Sequence, residues 1–243
     1  ATRRFTSQRG EGSTPKVHVD QERRLITISP EDPARHSASC IFMHGLGDTA
    51  HGWSDLCTAI AAENPHLRFV CPTAPTRRVT MNGGMPMPSW FDIHGLDRLQ
   101  EPSVGLDHSA AYIRKLLADE EKAVGSQRCV LAGFSQGGAL ALWVGIQLPR
   151  QLAGILALSA FLPNATAVVP SLQALDTPIL QCHGEDDAMV RMSFAREAQH
   201  VLISHGFRRR KFRSYDGLGH ASNPQEIRHI RKWLRKVLPE RSE

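Results

Sequence analysis

The chain has 243 residues, 41% of them hydrophobic, and carries a formal net charge of +5 with 12 histidines taken as neutral. A chain of that length can bury roughly 70–75% of the surface it exposes when unfolded, and ordinary glycine and proline usage without a fixed-period repeat excludes fibrous, disordered and solenoid classes. Basic residues alternate with acidic ones along most of the sequence, and neither a reader module nor aromatics interleaved with a basic groove occurs, so nucleic acid is not an expected partner.

The first residues, "ATRRFTSQRGEGS", are Arg- and Ser-rich without the apolar centre of a signal peptide, so residues 1–15 read as a flexible tail and 16–243 as one domain. "KVHVDQERRLITI" predicts two short strands about a polar turn, and "SASCIFMHG" an apolar strand that stops at His44-Gly45. A helical period follows in "HGWSDLCTAIAAENP", then an apolar run "LRFVCPTAP" and a long amphipathic helix "VGLDHSAAYIRKLLADEEKAVG". "RCVLAGFS" reads as strand into turn, "QGGALALWVGIQLP" as helix, and "LAGILALSAFLP" and "TPILQCHGEDD" as strands. "MSFAREAQHVLISHG" (helix), "RKFRSYDG" (strand) and "NPQEIRHIRKWLRKVL" (helix) complete the order. Strands apolar throughout and separated by helices imply a mostly parallel sheet covered on both faces, with function at the strand C-termini. The longest apolar segment, residues 152–162, has about half the length of a bilayer span.

Cys40, Cys71, Cys129 and Cys182 sit in or beside these apolar runs and Cys57 in a helix; the five show no C-x-x-C spacing. That pattern supports neither zinc nor dithiol chemistry, and reduced thiols point to the cytoplasm.

What ends the strands carries the chemistry. "GFSQG" (133–137) fits G-x-S-x-G, in which a serine occupies a sharp strand-to-helix turn that exposes its oxygen. The required strand precedes Ser135 and the required helix follows it. A serine hydroxyl is a weak nucleophile near neutral pH and needs a base, which in turn needs an acid to set its tautomer. His220, in the turn "GLGHAS" after the last strand, supplies the base, and Glu185, Asp186 and Asp187 are the candidates for the acid; spacing does not choose among them. An oxyanion calls for preorganised backbone donors, assigned to the N–H of Leu46 in the tight turn "HGLGD" and the N–H of Gln136 directly after the serine. Such chemistry uses no metal and no organic cofactor.

With these residues in place the chain resembles the acyl-protein thioesterase group of α/β-hydrolases, also described as lysophospholipase-like carboxylesterases, over roughly residues 36–239. The blocks are "FMHGLGDTAHGW", "CPTAPTRRVTMNGGMPMPSWFDIHGL", "GFSQGGALAL", "LQCHGEDDAMV" and "YDGLGHAS", in the order of that group. The resemblance implies the α/β-hydrolase fold, Ser135 as nucleophile, Asp187 as acid and His220 as base. It also implies a substrate class: long-chain acyl thioesters on protein cysteines, with lysophospholipids or small esters as the alternative. A catalytically silent acyl- or partner-binding protein of the same fold is the remote rival, which the intact serine, histidine and acid set argues against. An acyl chain needs an apolar groove, and Met85, Met87, Trp90, Phe91, Ile93 and Leu96 are its expected walls, in a segment whose glycines and prolines oppose regular structure. Phe161 and Leu162, after a strand end, are further candidates. No cysteine precedes Cys40, so no lipidated N-terminal cysteine of the kind members often carry is read from this sequence.

The last helix keeps Ile227, Ile230, Leu234, Val237 and Leu238 on one stripe and Arg228, Arg231, Lys232, Arg235 and Lys236 largely off it. A core-docked helix with a solvated basic face is expected, with peripheral contact to anionic membrane as the functional alternative.

Overall fold

The computed structural model describes residues 14–241 apart from Gln100 and Pro102; the expected tail, Thr14 and Pro15 excepted, lies outside the described residues. β1 (Lys16–Asp20) and β2 (Leu25–Ser29) form a hairpin about the polar turn. The chain then runs β3 (Ala38–Met43), α1 (His51–Ala62), β4 (Leu67–Pro72), β5 (Thr76–Val79), β6 (Met85–Pro88), α2 (Leu106–Val124), β7 (Cys129–Phe134) and α3 (Gln136–Gly145). It ends with β8 (Gly154–Leu158), β9 (Ile179–Gly184), α4 (Met192–Ser204), β10 (Arg210–Tyr215) and α5 (Pro224–Val237).

Eight strands make one sheet in the order β1-β2-β4-β3-β7-β8-β9-β10. β2 is antiparallel to both neighbours, and every pair from β4 to β10 is parallel. Period-2 alternation splits the core into two layers. Ile41 and Met43 of β3 and Leu131 of β7 face the layer built with α2, α3 and α4. Cys40, Phe42, Val130 and Ala132 face the other, built with α1 and α5. Burial on both faces is why these strands read as continuous apolar runs.

The segment expected to lack regular structure contains a two-stranded ribbon, β5 with β6, pairing Val79 with Met85 and Thr76 with Pro88. Gly83 and Gly84, at φ 66° and 77°, make its turn. Prolines 86 and 88 are compatible with it because a ribbon leaves each strand an outer side where no N–H is required.

All five cysteines are free and buried, and burial pushes the thiols of Cys129 and Cys182 up to about 12, so they behave as small apolar side chains. Among the described residues no helix is long and apolar enough to cross a membrane.

α5 opens with Asn223 Oδ1 accepting from Glu226 N–H at 2.8 Å and Pro224 in its first turn. Ile230, Leu234 and the following Leu238 are buried, as the stripe requires, while Arg231 and Arg235 reach Glu63. Glu226 itself is fully buried, with neither carboxylate oxygen hydrogen-bonded among the described residues, and burial pushes its carboxyl up to about 7. The folded form therefore holds this proton more tightly than the unfolded one, so stability is lost as pH rises from the ordinary Glu range through the folded value. Urea unfolding should show Glu226→Gln gaining on the wild type by on the order of 2 kcal/mol between about pH 5 and about pH 8.5. A constant difference between the two proteins across that range would refute the raised carboxyl.

Candidate active site

The head of α3 meets the ends of β3 and β7 at backbone contact. A Cβ on Gly133 would run into the Gly137 carbonyl, and one on Gly137 into the carbonyls of Met43 and His44. Glycine is therefore a steric requirement at both positions. Between them Ser135 sits at φ 54°, ψ −120°, with its N–H donating to Leu158 O at 2.8 Å and its carbonyl accepting from Ala139 N–H. That turn lifts the hydroxyl clear of the helix.

Ser135 Oγ lies 2.9 Å from His220 Nε2, and His220 Nδ1 lies 2.7 Å from Asp187 Oδ2. Of the three candidate acids, Asp187, the one the resemblance implied, is the one whose carboxylate meets His220 among the described residues. Its Oδ1 accepts from Met189 N–H at 2.9 Å and Val190 N–H at 2.8 Å, and its side chain is wholly buried. Burial pushes the carboxyl up, but the hydrogen bonds from His220 and Val190 outweigh it and hold Asp187 below the usual carboxylate range. An ionised Asp187 accepts the Nδ1 proton, which leaves Nε2 as an acceptor for the serine hydroxyl. Phe134 packs against the His220 ring at 4.8 Å, and Trp53 against Phe134 at 5.1 Å.

His183 closes the other side of the acid. It is buried, donates Nε2–H to Val190 O at 2.7 Å, and stands 3.5 Å from Asp187 Oδ2. Burial lowers its pKa, so it stays neutral and braces the loop that presents Asp187.

The turn after β3 is held the same way. His44 Nδ1–H donates to Gly45 O at 2.7 Å and Nε2 accepts from Ala74 N–H at 3.0 Å; burial keeps this imidazole neutral too. Leu46 N–H donates to no acceptor among the described residues, and Gln136 N–H, first in α3, lacks an intrahelical partner. A Cβ on Gly45 would come within 3.4 Å of Ser135 Cβ, so the turn that carries Leu46 runs close to the serine that Gln136 directly follows.

Ser135 and His220 open into a groove of about 320 Å³ with mostly apolar walls. Met87, Ile93, Leu96 and Phe161 line it, as does Leu46. Four expected walls do not. Met85 points to solvent, 61% exposed: it shares a face of β6 with Met87 but lies at the outer end of the ribbon, beside the turn at Gly83 and Gly84. Trp90, Phe91 and Leu162 are core residues, at most 2% exposed: the Trp90 indole is tied to the backbone of β3's end, and Phe91 packs edge-on against Phe161. Other walls, Trp53, Met81, Leu99, Phe134, Met189 and Val190, had not been anticipated. Phe134 and Val190 adjoin Ser135 and the acid loop, a proximity legible in the sequence; Trp53 and Leu99 reach the groove through the fold alone.

A parallel sheet with a serine elbow, a histidine and a carboxylate at its strand C-termini defines an α/β-hydrolase. The phospholipase/carboxylesterase family model matches residues 24–238, and the chain belongs to that family. It is 40% identical over 209 residues to acyl-protein thioesterase 1 homolog 1 of Dictyostelium discoideum, covering 84% of this chain and 92% of that one. To acyl-protein thioesterase 1 of Mycosarcoma maydis it is 36% identical over 236 residues, 89% and 98% of the two chains. Among solved structures, Zea mays acyl-protein thioesterase 2 superposes with a TM-score of 0.77 at 30% identity, covering 88% of this chain and 99% of that one.

Asp187→Asn keeps an acceptor for the Met189 and Val190 N–H groups but offers His220 Nδ1 a donor, which drives the ring proton to Nε2 and removes the acceptor for Ser135. Labelling of Ser135 by a fluorophosphonate should slow about 10³- to 10⁴-fold, with an unchanged far-UV circular dichroism spectrum. Labelling within about tenfold of wild type would separate Asp187 from the reactivity of the serine.

Proposed function

We propose that this protein is a serine hydrolase that cleaves long-chain acyl thioesters on protein cysteines by double displacement. One observation carries the reading: an unbroken Ser135–His220–Asp187 hydrogen-bond chain whose reactive end opens into an apolar groove. Ser135 Oγ attacks the thioester carbonyl as its proton passes to His220 Nε2. The charge that develops on the carbonyl oxygen is met by the N–H groups of Leu46 and Gln136. Collapse breaks the C–S bond, and the departing cysteine sulfur takes the proton from His220. Water then attacks the acyl-serine with His220 as base, releasing the fatty acid and restoring Ser135. Asp187 stays ionised throughout and stabilises the imidazolium.

The groove supports a long acyl chain, since its walls are mostly aliphatic, aromatic and thioether side chains, with Asp48 and Asn82 the polar exceptions besides Ser135 and His220. The relatives named as acyl-protein thioesterases support the thioester, and the family description supports lysophospholipids or small esters as second substrates of the same site. Five reduced, buried thiols fit the cytoplasm. Ser135→Ala should lower turnover of an acylated peptide by about 10⁴-fold or more with little change in melting temperature. Rates near wild type would exclude Ser135 as nucleophile, and faster turnover of a lysolipid than of the acylated peptide would move the assignment to lysophospholipase.

Peripheral membrane contact is the remaining part of the reading. Arg228, Lys232 and Lys236 on α5 are exposed, and among the described residues none pairs with a carboxylate. Sedimentation with liposomes should increase when anionic lipid is included and fall again with salt. Equal pelleting on neutral and anionic liposomes would rule this contact out.

A further inference from the structure

Leu46 and Gln136 belong to separate segments, and an oxyanion site requires the distance between their N–H groups to stay constant during reaction. A continuous run of buried polar contacts joins them. The Gln136 carboxamide accepts from Trp90 N–H at 2.9 Å through Oε1 and donates through Nε2 to Phe91 O at 2.6 Å and Ser89 Oγ at 3.1 Å. The Trp90 indole N–H in turn donates to the carbonyl of His44 at 2.9 Å. From there the His44 imidazole grips the carbonyl of Gly45 and the N–H of Ala74. A hydroxyl on α2, that of Ser109, holds the Trp90 carbonyl from behind. Gln136, Ser89, Trp90 and His44 are each at most 1% exposed, so water does not compete for these bonds.

We propose that the Gln136 side chain and the Trp90 indole are positioning groups which form a rigid bridge between the turn at Leu46 and the elbow at Ser135, setting the spacing of the two oxyanion donors. Ordinary satisfaction of a buried amide needs one partner per atom. Here the amide grips three consecutive residues of another segment, and the side chain of the middle one reaches the oxyanion turn. Residue 136 thus serves twice, by its backbone N–H and by its carboxamide. The inference rests on the serine-hydrolase reading and deepens it. A spacing that matters to the tetrahedral oxyanion more than to the bound ester should act on kcat and leave binding unchanged.

Two variants test this. Gln136→Glu keeps the size of the side chain and removes both Nε2 donors; Trp90→Phe keeps an aromatic ring and deletes the bond to His44. The readouts are kcat and KM on a long-chain acyl-peptide thioester, Kd for its uncleavable thioether analogue, and Ser135 labelling. Each variant should lose about tenfold or more in kcat while KM and Kd stay within about twofold. If Gln136→Glu does not fold, Trp90→Phe decides alone. Unchanged kcat, or kcat and affinity falling in step, overturns the bridge. An unreactive wild-type Ser135 would instead overturn the hydrolase reading, whereas an active wild type matched by both variants overturns the bridge only.

Discussion

The close approach of the head of α3 to the ends of β3 and β7 is the constraint from which the site follows. Backbone meets backbone there, with no room for a Cβ at Gly133 or Gly137. The chain can then turn from strand to helix only by placing Ser135 at positive φ, a conformation costing a non-glycine residue about 1–3 kcal/mol. The cost is offset by the Ser135 N–H bond to Leu158 and by α3, every residue of which from Gln136 to Gly145 is buried. Once this packing is in place, the serine oxygen faces His220, the first N–H of α3 is free, and the Gln136 carboxamide is buried against residues 89–91.

Around that turn, three imidazoles act as struts of defined polarity. His44 and His183 are driven neutral by burial, and each spends its ring N–H on a backbone carbonyl. Neither imidazole could accept a second proton without loss: His44 would forfeit the Ala74 bond, and a charged His183 would be buried at 1% exposure. His220 differs in being partly open to the groove, its side chain 19% exposed, and in holding Asp187 at one nitrogen and Ser135 at the other. The same residue type thus serves as scaffold where it is sealed and as candidate base where it meets solvent and a hydroxyl.

The segment between β4 and α2 does two jobs that depend on each other. Its middle, Ser89 to Phe91, is buried and gripped by Gln136, while Met81 and Met87 before it and Ile93, Leu96 and Leu99 after it form groove wall. Anchoring at the middle fixes the segment at the elbow, while the flanking thioether and aliphatic side chains supply the apolar wall of the groove. The β5–β6 ribbon extends this wall outward and carries Met85 into solvent.

Strand order of chemistry along the chain was legible without coordinates. G-x-S-x-G between an apolar run and a helix, a glycine-rich turn after the first long strand, and a histidine after the last one are all local patterns, written by the steric demands of single turns. So was the two-faced sheet, because strands buried on both sides must be apolar at every position. By spacing the three acids in a row were equivalent, and only the family resemblance pointed to Asp187, since which carboxylate reaches His220 depends on where the loop after β9 lies relative to the loop after β10. Trp90 and Phe91 were expected against an acyl chain, yet a large aromatic satisfies a groove wall and a core equally well by composition. Their burial follows from partners at Gln136, Ser109 and Phe161, far away in the chain. Local turns encode their own geometry in a few residues, while the inside or outside of a side chain is settled by distant segments brought against it.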